Sequence, residues 1–362
     1  MPTVVCVGET MAMLTPTGQV PLSEATELFY GVGGAESNVA TGLAAMGVDA
    51  HWLGRVGRDG FGTRILNELR SHGVGVSAVE IDPKHPTGLY VKVPAVAGAS
   101  GSEPSAASVI YYRKGSAGSA MDPALLVRPA AATLLERATL VHLSGITAAL
   151  SPGCRDMLTA VMDAPRNGRL VSFDVNWREP LWHDADKAVL RTLANRADVV
   201  LLGSDEAVPA FGTNHEGELR ALLPDPAVIV LKDAEKAAIA LMPDGARVEV
   251  PALDVSVLEP VGAGDAFAAG YLSGLLFGLD QRSSLRRGHI SAAATLTVPG
   301  DRGPLPGQDT LDLILGCTDD DWAATHVAPG RIDSPVLAGG SVRTGGGPSG
   351  APTPAGTPGG LL

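Results

Sequence analysis

From residue 140 onward the chain alternates short apolar runs with segments of helical periodicity, and no other feature of the sequence restricts its fold as much. Residues 140–143, 170–175 and 199–202 read as strands, while 152–164, 185–195 and 205–211 read as helices. Repeated strand–helix units place successive strands parallel. A parallel sheet is covered on both faces, so its strands are apolar throughout instead of alternating with polar residues. Residues 228–231, 237–241 and 247–250 read as further strands, followed by a helical run ending at Leu279 and a second helix over about 284–298. Ligands of open α/β sheets lie beyond the carboxyl ends of the strands, where Asp174, Asn176, Arg178 and Ser204 fall.

A chain of 362 residues, 45% hydrophobic and 18% charged, can bury one large core with a small appendage. Its net charge of -12 argues against nucleic acid or an anionic membrane as a partner. An anionic small molecule would need local arginines. Cys6, Cys154 and Cys317 are far apart and form no CxxC or metal-ligand spacing, which suits a reducing cytoplasm. The N-terminus runs directly into an apolar strand, residues 3–8, without a basic leader. The longest apolar run, 266–279, is too short to span a bilayer, and its Gly270 and Gly274 suggest close packing on a neighbouring element.

Chemistry concentrates in residues 259–270, Glu-Pro-Val-Gly-Ala-Gly-Asp-Ala-Phe-Ala-Ala-Gly. Gly262 and Gly264 allow a sharp turn into a helix whose first N–H groups lack internal partners and carry the positive end of the helix dipole. Such a turn stabilises a phosphoryl group. Asp265, in the same turn, could accept a hydroxyl proton, although capping of the helix explains it equally well on spacing alone. No GxxxxGK[ST] motif occurs in the chain, and residues 31–36 place Glu36 where a dinucleotide fingerprint needs glycine. Those glycines read as a tight turn before a helix over 39–46.

Residues 11–30 are turn-rich, and 88–93 and 108–113 alternate as strands, with small residues at 97–107 between them. They read as a lid hairpin with a mobile tip over the active site. Asp59 reads as the cap of a helix ending at His72. From 319 to 362 the composition shifts to Gly, Pro, Ser and Thr, which predicts a disordered tail after a domain spanning 1–318, with lid segments at about 11–33 and 86–115.

Residues 261–270 closely resemble the C-terminal signature of the ribokinase-like (PfkB) carbohydrate kinases, and residues 33–40, Gly-Gly-Ala-Glu-Ser-Asn-Val-Ala, resemble the N-terminal one. The resemblance covers about 4–301. It implies a mostly parallel central sheet with helices on both faces and a small β-sheet lid. It also implies Asp265 as catalytic base and the backbone of Gly262, Ala263, Gly264 and Asp265 as anion hole. Residues 111–117, Tyr-Tyr-Arg-Lys-Gly-Ser-Ala, with 143–147 and 174–178, resemble the 2-dehydro-3-deoxygluconate kinases of that family. This implies phosphorylation of the terminal (C6) hydroxyl of a 2-keto-3-deoxy sugar acid. Gly34, Asn38, Tyr90, Tyr111, Arg113, Arg178 and Asp301 would contact substrate. Asn176, Ser204 and Lys232, with Gly262 and Gly264, would lie along ATP, and Mg2+ would bridge its phosphates.

Three departures accompany the match. Ala234 and Ala237 stand where the family commonly has glycines near the nucleotide. Glu259 replaces an aspartate near a site that binds a monovalent cation in some relatives, which leaves K+ activation open. The lid hairpin is longer than in compact members. A fructokinase or other ketose kinase is the alternative, and a non-catalytic sugar-binding regulator a third reading. Lid strands with an exposed face often pair between subunits, so a homo-oligomer is expected.

Overall fold

The computed structural model describes residues 1–18, 20–93, 108–183, 186–300 and 302–344. Eight strands form the central sheet, in the order Arg247–Pro251, Ala237–Leu241, Val228–Asp233, Val199–Gly203, Leu170–Asp174, Leu140–Ser144, Thr3–Val7 and Asp49–Leu53. All pairings are parallel except those of Ala237–Leu241, which runs against both neighbours. The two-residue side-chain period divides the strands between two cores. Val4, Cys6, Leu140, Val228 and Val230 face the helices Ala35–Ala45, Ala263–Leu276 and Gln281–Leu296. Val5, Val7, Val141, Phe173 and Ile229 face Pro129–Arg137, Pro152–Asp163 and Ala188–Arg196. This burial on both faces explains the unbroken apolar runs.

Thr3–Val7 pairs with Asp49–Leu53 on one side and Leu140–Ser144 on the other. The connections therefore leave in opposite directions at this strand, which opens a crevice at its carboxyl end. A second, four-stranded sheet, Leu28–Gly33, Met11–Pro16, Leu89–Val93 and Ser108–Tyr112, forms the lid. The predicted mobile tip, 97–107, lies outside the described residues.

Several helix boundaries differ from the sequence reading. Ala35–Ala45 starts four residues earlier than predicted, so Glu36, Ser37 and Asn38 are helical and not part of a turn. Gly34 is its cap in extended conformation (φ 173°), and a Cβ there would come within 2.4 Å of the Glu9 carbonyl oxygen. Ala263–Leu276 is shorter than expected, and Gly278 follows it at φ +76°. A Cβ on Gly270 would lie 2.5 Å from the Arg287 carbonyl oxygen, and one on Gly274 2.7 Å from Ser284 Oγ, so the GxxxG spacing serves contact with Gln281–Leu296.

The segment read as a disordered tail from 319 is folded as far as Thr344. It contains the helix Asp319–Ala323 and the strands His326–Ala328, Arg331–Asp333 and Ser341–Arg343, which extend Asp254–Val255 into a sheet. Average composition concealed a few well-spaced anchors: Trp322, Val327, Ile332 and Leu337 are buried in the main core. Trp322 donates its indole N–H to the Pro251 carbonyl oxygen at 2.9 Å, and the Arg286 guanidinium lies 4.9 Å from its ring centre. Residues 345–362 lie outside the described set. Truncating a fully buried Trp removes a large apolar contact, so Trp322→Ala should lower unfolding free energy by about 3–5 kcal/mol in urea titrations. An unchanged midpoint would restore the disordered-tail reading.

Candidate active site

Gly262 adopts φ +86° and ψ -11°, a left-handed conformation open chiefly to glycine, and caps the helix Ala263–Leu276. The first bond into the helix runs from the Ala266 N–H to the Gly262 carbonyl at 2.9 Å. The N–H groups of Ala263, Gly264 and Asp265 precede it, and Gly264 is exposed. This is the geometry of an anion-binding turn.

Asp265 is held from two distant parts of the chain. Asn38, in the first turns of Ala35–Ala45, donates its amide N–H to Asp265 Oδ2 at 2.9 Å. Asn176 follows the strand Leu170–Asp174 and donates to Oδ1 at 3.4 Å. It does so from a left-handed backbone, φ +42°, that asparagine tolerates better than most residues. Amide donors to both oxygens fix the carboxylate plane.

On the other side of the turn the Lys232 ammonium reaches Asp174 at 3.2 Å, and a Cβ on Gly264 would lie 3.8 Å from it. Burial works against this charge, but Asp174, Glu206 and Asp265 outweigh it and hold the Lys232 pKa above its ordinary value. Burial pushes the Glu206 carboxyl up, against the pull of Lys232. Ser204 donates to Asp233 at 2.7 Å, closing the adjacent strand ends. Ala234 has φ +43°, a left-handed backbone that glycine would adopt at lower cost; Ala237 begins the antiparallel strand and is buried.

A second group of side chains surrounds the crevice beside the first strand. Arg113 is 8% exposed and gives its Nε to Glu9 Oε2 at 2.8 Å, with Nη2 on the same oxygen. Ser116 donates to the other Glu9 oxygen at 2.8 Å. Arg113 is therefore a fixed, internally neutralised donor and not a free cation. Its guanidinium stacks over Tyr111, which neighbours Tyr90 across the lid. Arg178 is half-exposed, donates to the Trp177 carbonyl, and lies 3.9 Å from Glu206. Asp301 lies outside the described residues.

Sequence reasoning missed Glu9, Glu36, Glu206 and Lys92. Glu9 follows the first strand directly, so a carboxylate at the carboxyl end of that strand was the available signal. Glu36 is fully buried and accepts the hydroxyls of Ser144 (2.8 Å) and Thr147 (2.6 Å) on one oxygen, while the other oxygen is buried without a hydrogen-bond partner among the described residues. Burial raises its pKa to about 6, the Thr147 and Ser144 hydrogen bonds notwithstanding.

A helix-start phosphate turn with an oriented carboxylate, at the carboxyl ends of a parallel sheet and beneath a β lid, is the arrangement of a sugar-phosphorylating α/β fold. The chain matches the pfkB family carbohydrate kinase model over residues 1–308 and belongs to that family. It is 36% identical to the 2-dehydro-3-deoxygluconokinase of Bacillus subtilis (strain 168), a match covering 85% of this chain and 94% of the relative. It is 32% identical to the 2-dehydro-3-deoxygluconokinase of Thermoproteus tenax, covering 87% and 94%. The crystal structure of a PfkB protein from Polaromonas sp. JS666 superposes with a TM-score of 0.70 at 31% identity, covering 83% of this chain and 97% of that one.

Glu36 makes stability depend on pH in a defined direction. Because its folded pKa, about 6, lies above the ordinary 4.5, the folded state holds the proton more tightly and stability falls as pH rises through that window. The loss from this group is about 2 kcal/mol, complete above pH 7. In urea titrations, the stability of Glu36→Gln relative to the parent should rise by about that amount between pH 4 and 7. A difference that does not change with pH would show that this carboxyl is not buried in its charged form.

Proposed function

We propose that the protein transfers the γ-phosphoryl group of ATP to the C6 hydroxyl of 2-dehydro-3-deoxy-D-gluconate. The observation that carries this reading is Asp265 gripped by Asn38 and Asn176 in the first turn of the helix that Gly262 caps. Asp265 takes the hydroxyl proton as oxygen attacks phosphorus, and the N–H groups of the 262–265 turn receive the growing charge. Lys232, beside Gly264, places its ammonium on the nucleotide side, where Asn176 and Ser204 would add neutral hydrogen-bonding groups. Mg2+ supplies charge neutralisation on the ATP phosphates when bound. Mg2+ would be held mostly by the ATP phosphates and water, since the nearby Asp174 carboxylate is already taken up by Lys232. A K+ requirement is not part of the reading, since Lys92 already brings a cation to Glu259 at 2.8 Å.

The sugar would lie between Gly34, Asn38, Tyr90 and Tyr111, with Arg113 as a fixed donor and Arg178 as the mobile charge that reads a carboxylate. The names of the relatives at 36% and 32% identity support the keto-acid. A ketose kinase such as a fructokinase is favoured by one observation, the neutralisation of Arg113 by Glu9. The setting is cytoplasmic. Apolar side chains left exposed on the lid, Phe29, Val109, Ile110 and Tyr112, support a homo-oligomer.

Asp265→Asn preserves shape and removes the base, so turnover should fall by about two to four orders of magnitude while the KM for sugar changes little. Near-parental turnover would remove Asp265 from the mechanism. In a coupled ATP-consumption assay with Mg2+, the keto-acid should be turned over in preference to fructose. Arg178→Ala should raise the keto-acid KM about tenfold or more without affecting residual fructose turnover. Preference for fructose would establish the ketose reading and leave Asp265 in place.

A further inference from the structure

Lys92 lies on the lid strand Leu89–Val93, two residues from Tyr90 and so on the same face. It extends out of the lid to Glu259, with Nζ 2.8 Å from Oε1. The other carboxylate oxygen accepts the Gly300 N–H at 2.8 Å. The backbone N–H groups of Leu258 and Glu259 both turn to the Leu296 carbonyl, at 2.7 and 3.3 Å. Glu259, three residues before the Gly262 cap, thus joins the lid and Gly300 through its carboxylate and the end of the helix Gln281–Leu296 through its backbone. The pair is mostly removed from water, at 15% and 27% side-chain exposure. Burial would raise the Glu259 pKa, but the Lys92 hydrogen bond and the Gly300 N–H outweigh it and hold the carboxyl below its ordinary range. Removing either partner leaves the other charge poorly solvated, so the link is stronger than a surface ion pair.

We propose that Lys92 is a positioning residue for phosphoryl transfer, whose ammonium, carried on the lid, fixes Glu259 and through it the turn that presents the Gly262–Asp265 N–H groups. The inference rests on the reading of that turn as the phosphoryl site. Between Glu259 and the cap stand only Pro260, whose φ is fixed by its ring, and Val261. A displacement at the carboxylate therefore passes to the cap with little slack. Because Lys92 shares its face with Tyr90, seating of the lid on a sugar and completion of the anion hole become one event. Covering the sugar before the phosphate site is complete limits transfer to water.

The test uses the full chain with ATP, Mg2+ and whichever sugar it turns over best. Lys92→Met and Glu259→Gln should each lower kcat about ten- to a hundredfold, the scale of a small misplacement of reacting groups, with the sugar KM shifted less than about threefold. Lys92→Arg should recover most of the loss. The double variant should be no slower than the slower single one, because both remove the same link. Hydrogen exchange should quicken over 256–266 in Lys92→Met, with the melting temperature nearly unchanged. Parental kcat in Lys92→Met, losses that multiply in the double variant, or faster exchange throughout the chain would each overturn the proposal. If Asp265→Asn is inactive while Lys92→Met is unaffected, this inference alone fails. An active Asp265→Asn would overturn the phosphoryl-site reading beneath it.

Discussion

The amide hydrogen bonds of Asn38 and Asn176 to Asp265 are the constraint around which the molecule is arranged. They join residues separated by 227 and 89 positions in the chain. Each amide arrives by a different physical route. Asn38 is delivered by a helix whose glycine cap sits against the Glu9 backbone, and Asn176 by a left-handed step off the end of a buried parallel strand. Asp265 is placed by a turn that only the left-handed Gly262 makes at low cost. The two cores of the sheet hold these supports at fixed separation. Close-packed glycines then tie the helix Ala263–Leu276 to its neighbour and leave it little room to slide.

Around this point the protein buries charge at a cost to stability. Glu9 with Arg113, Asp174 with Lys232, and Glu36 with two hydroxyls all lie at or near the carboxyl ends of the strands. A buried pair gains little net stability over apolar packing, because desolvation offsets most of the attraction. Among the described residues Glu36 has no cationic partner in hydrogen-bond contact, and its raised pKa reports the cost of burial. Such groups are retained where geometry counts for more than stability, and here each one fixes a donor or acceptor beside the crevice. The Glu9–Arg113 pair also changes the meaning of an arginine: position and hydrogen bonding remain available, whereas net charge does not.

The central architecture was legible in the sequence because both-face burial leaves a simple mark, runs of apolar residues at strand length separated by helical periods. The glycine turn into the helix was legible for a similar reason, since Gly262, Gly264 and Asp265 are adjacent in the chain and the geometry they impose is local. The folded segment after residue 318 was not. Its few anchors, Trp322, Val327, Ile332 and Leu337, are diluted among small residues, and their burial depends on a surface supplied by the rest of the protein. The early start of the helix at Ala35 was hidden for a related reason. Gly34 looks like a turn residue until the Glu9 backbone is seen to occupy the space a side chain would need.

By itself the sequence determined the fold class, the location of the glycine-capped helix start and the identity of the carboxylate within it, because those properties reside in local periodicity and in neighbouring residues. Tertiary structure decided which side chains share a charge. It gave Arg113 to Glu9, Lys232 to Asp174 and Lys92 to Glu259, pairs 104, 58 and 167 residues apart. No spacing rule predicts such partners, since the distance between two charges in space is set by how the sheet and lid pack, and that distance governs their interaction.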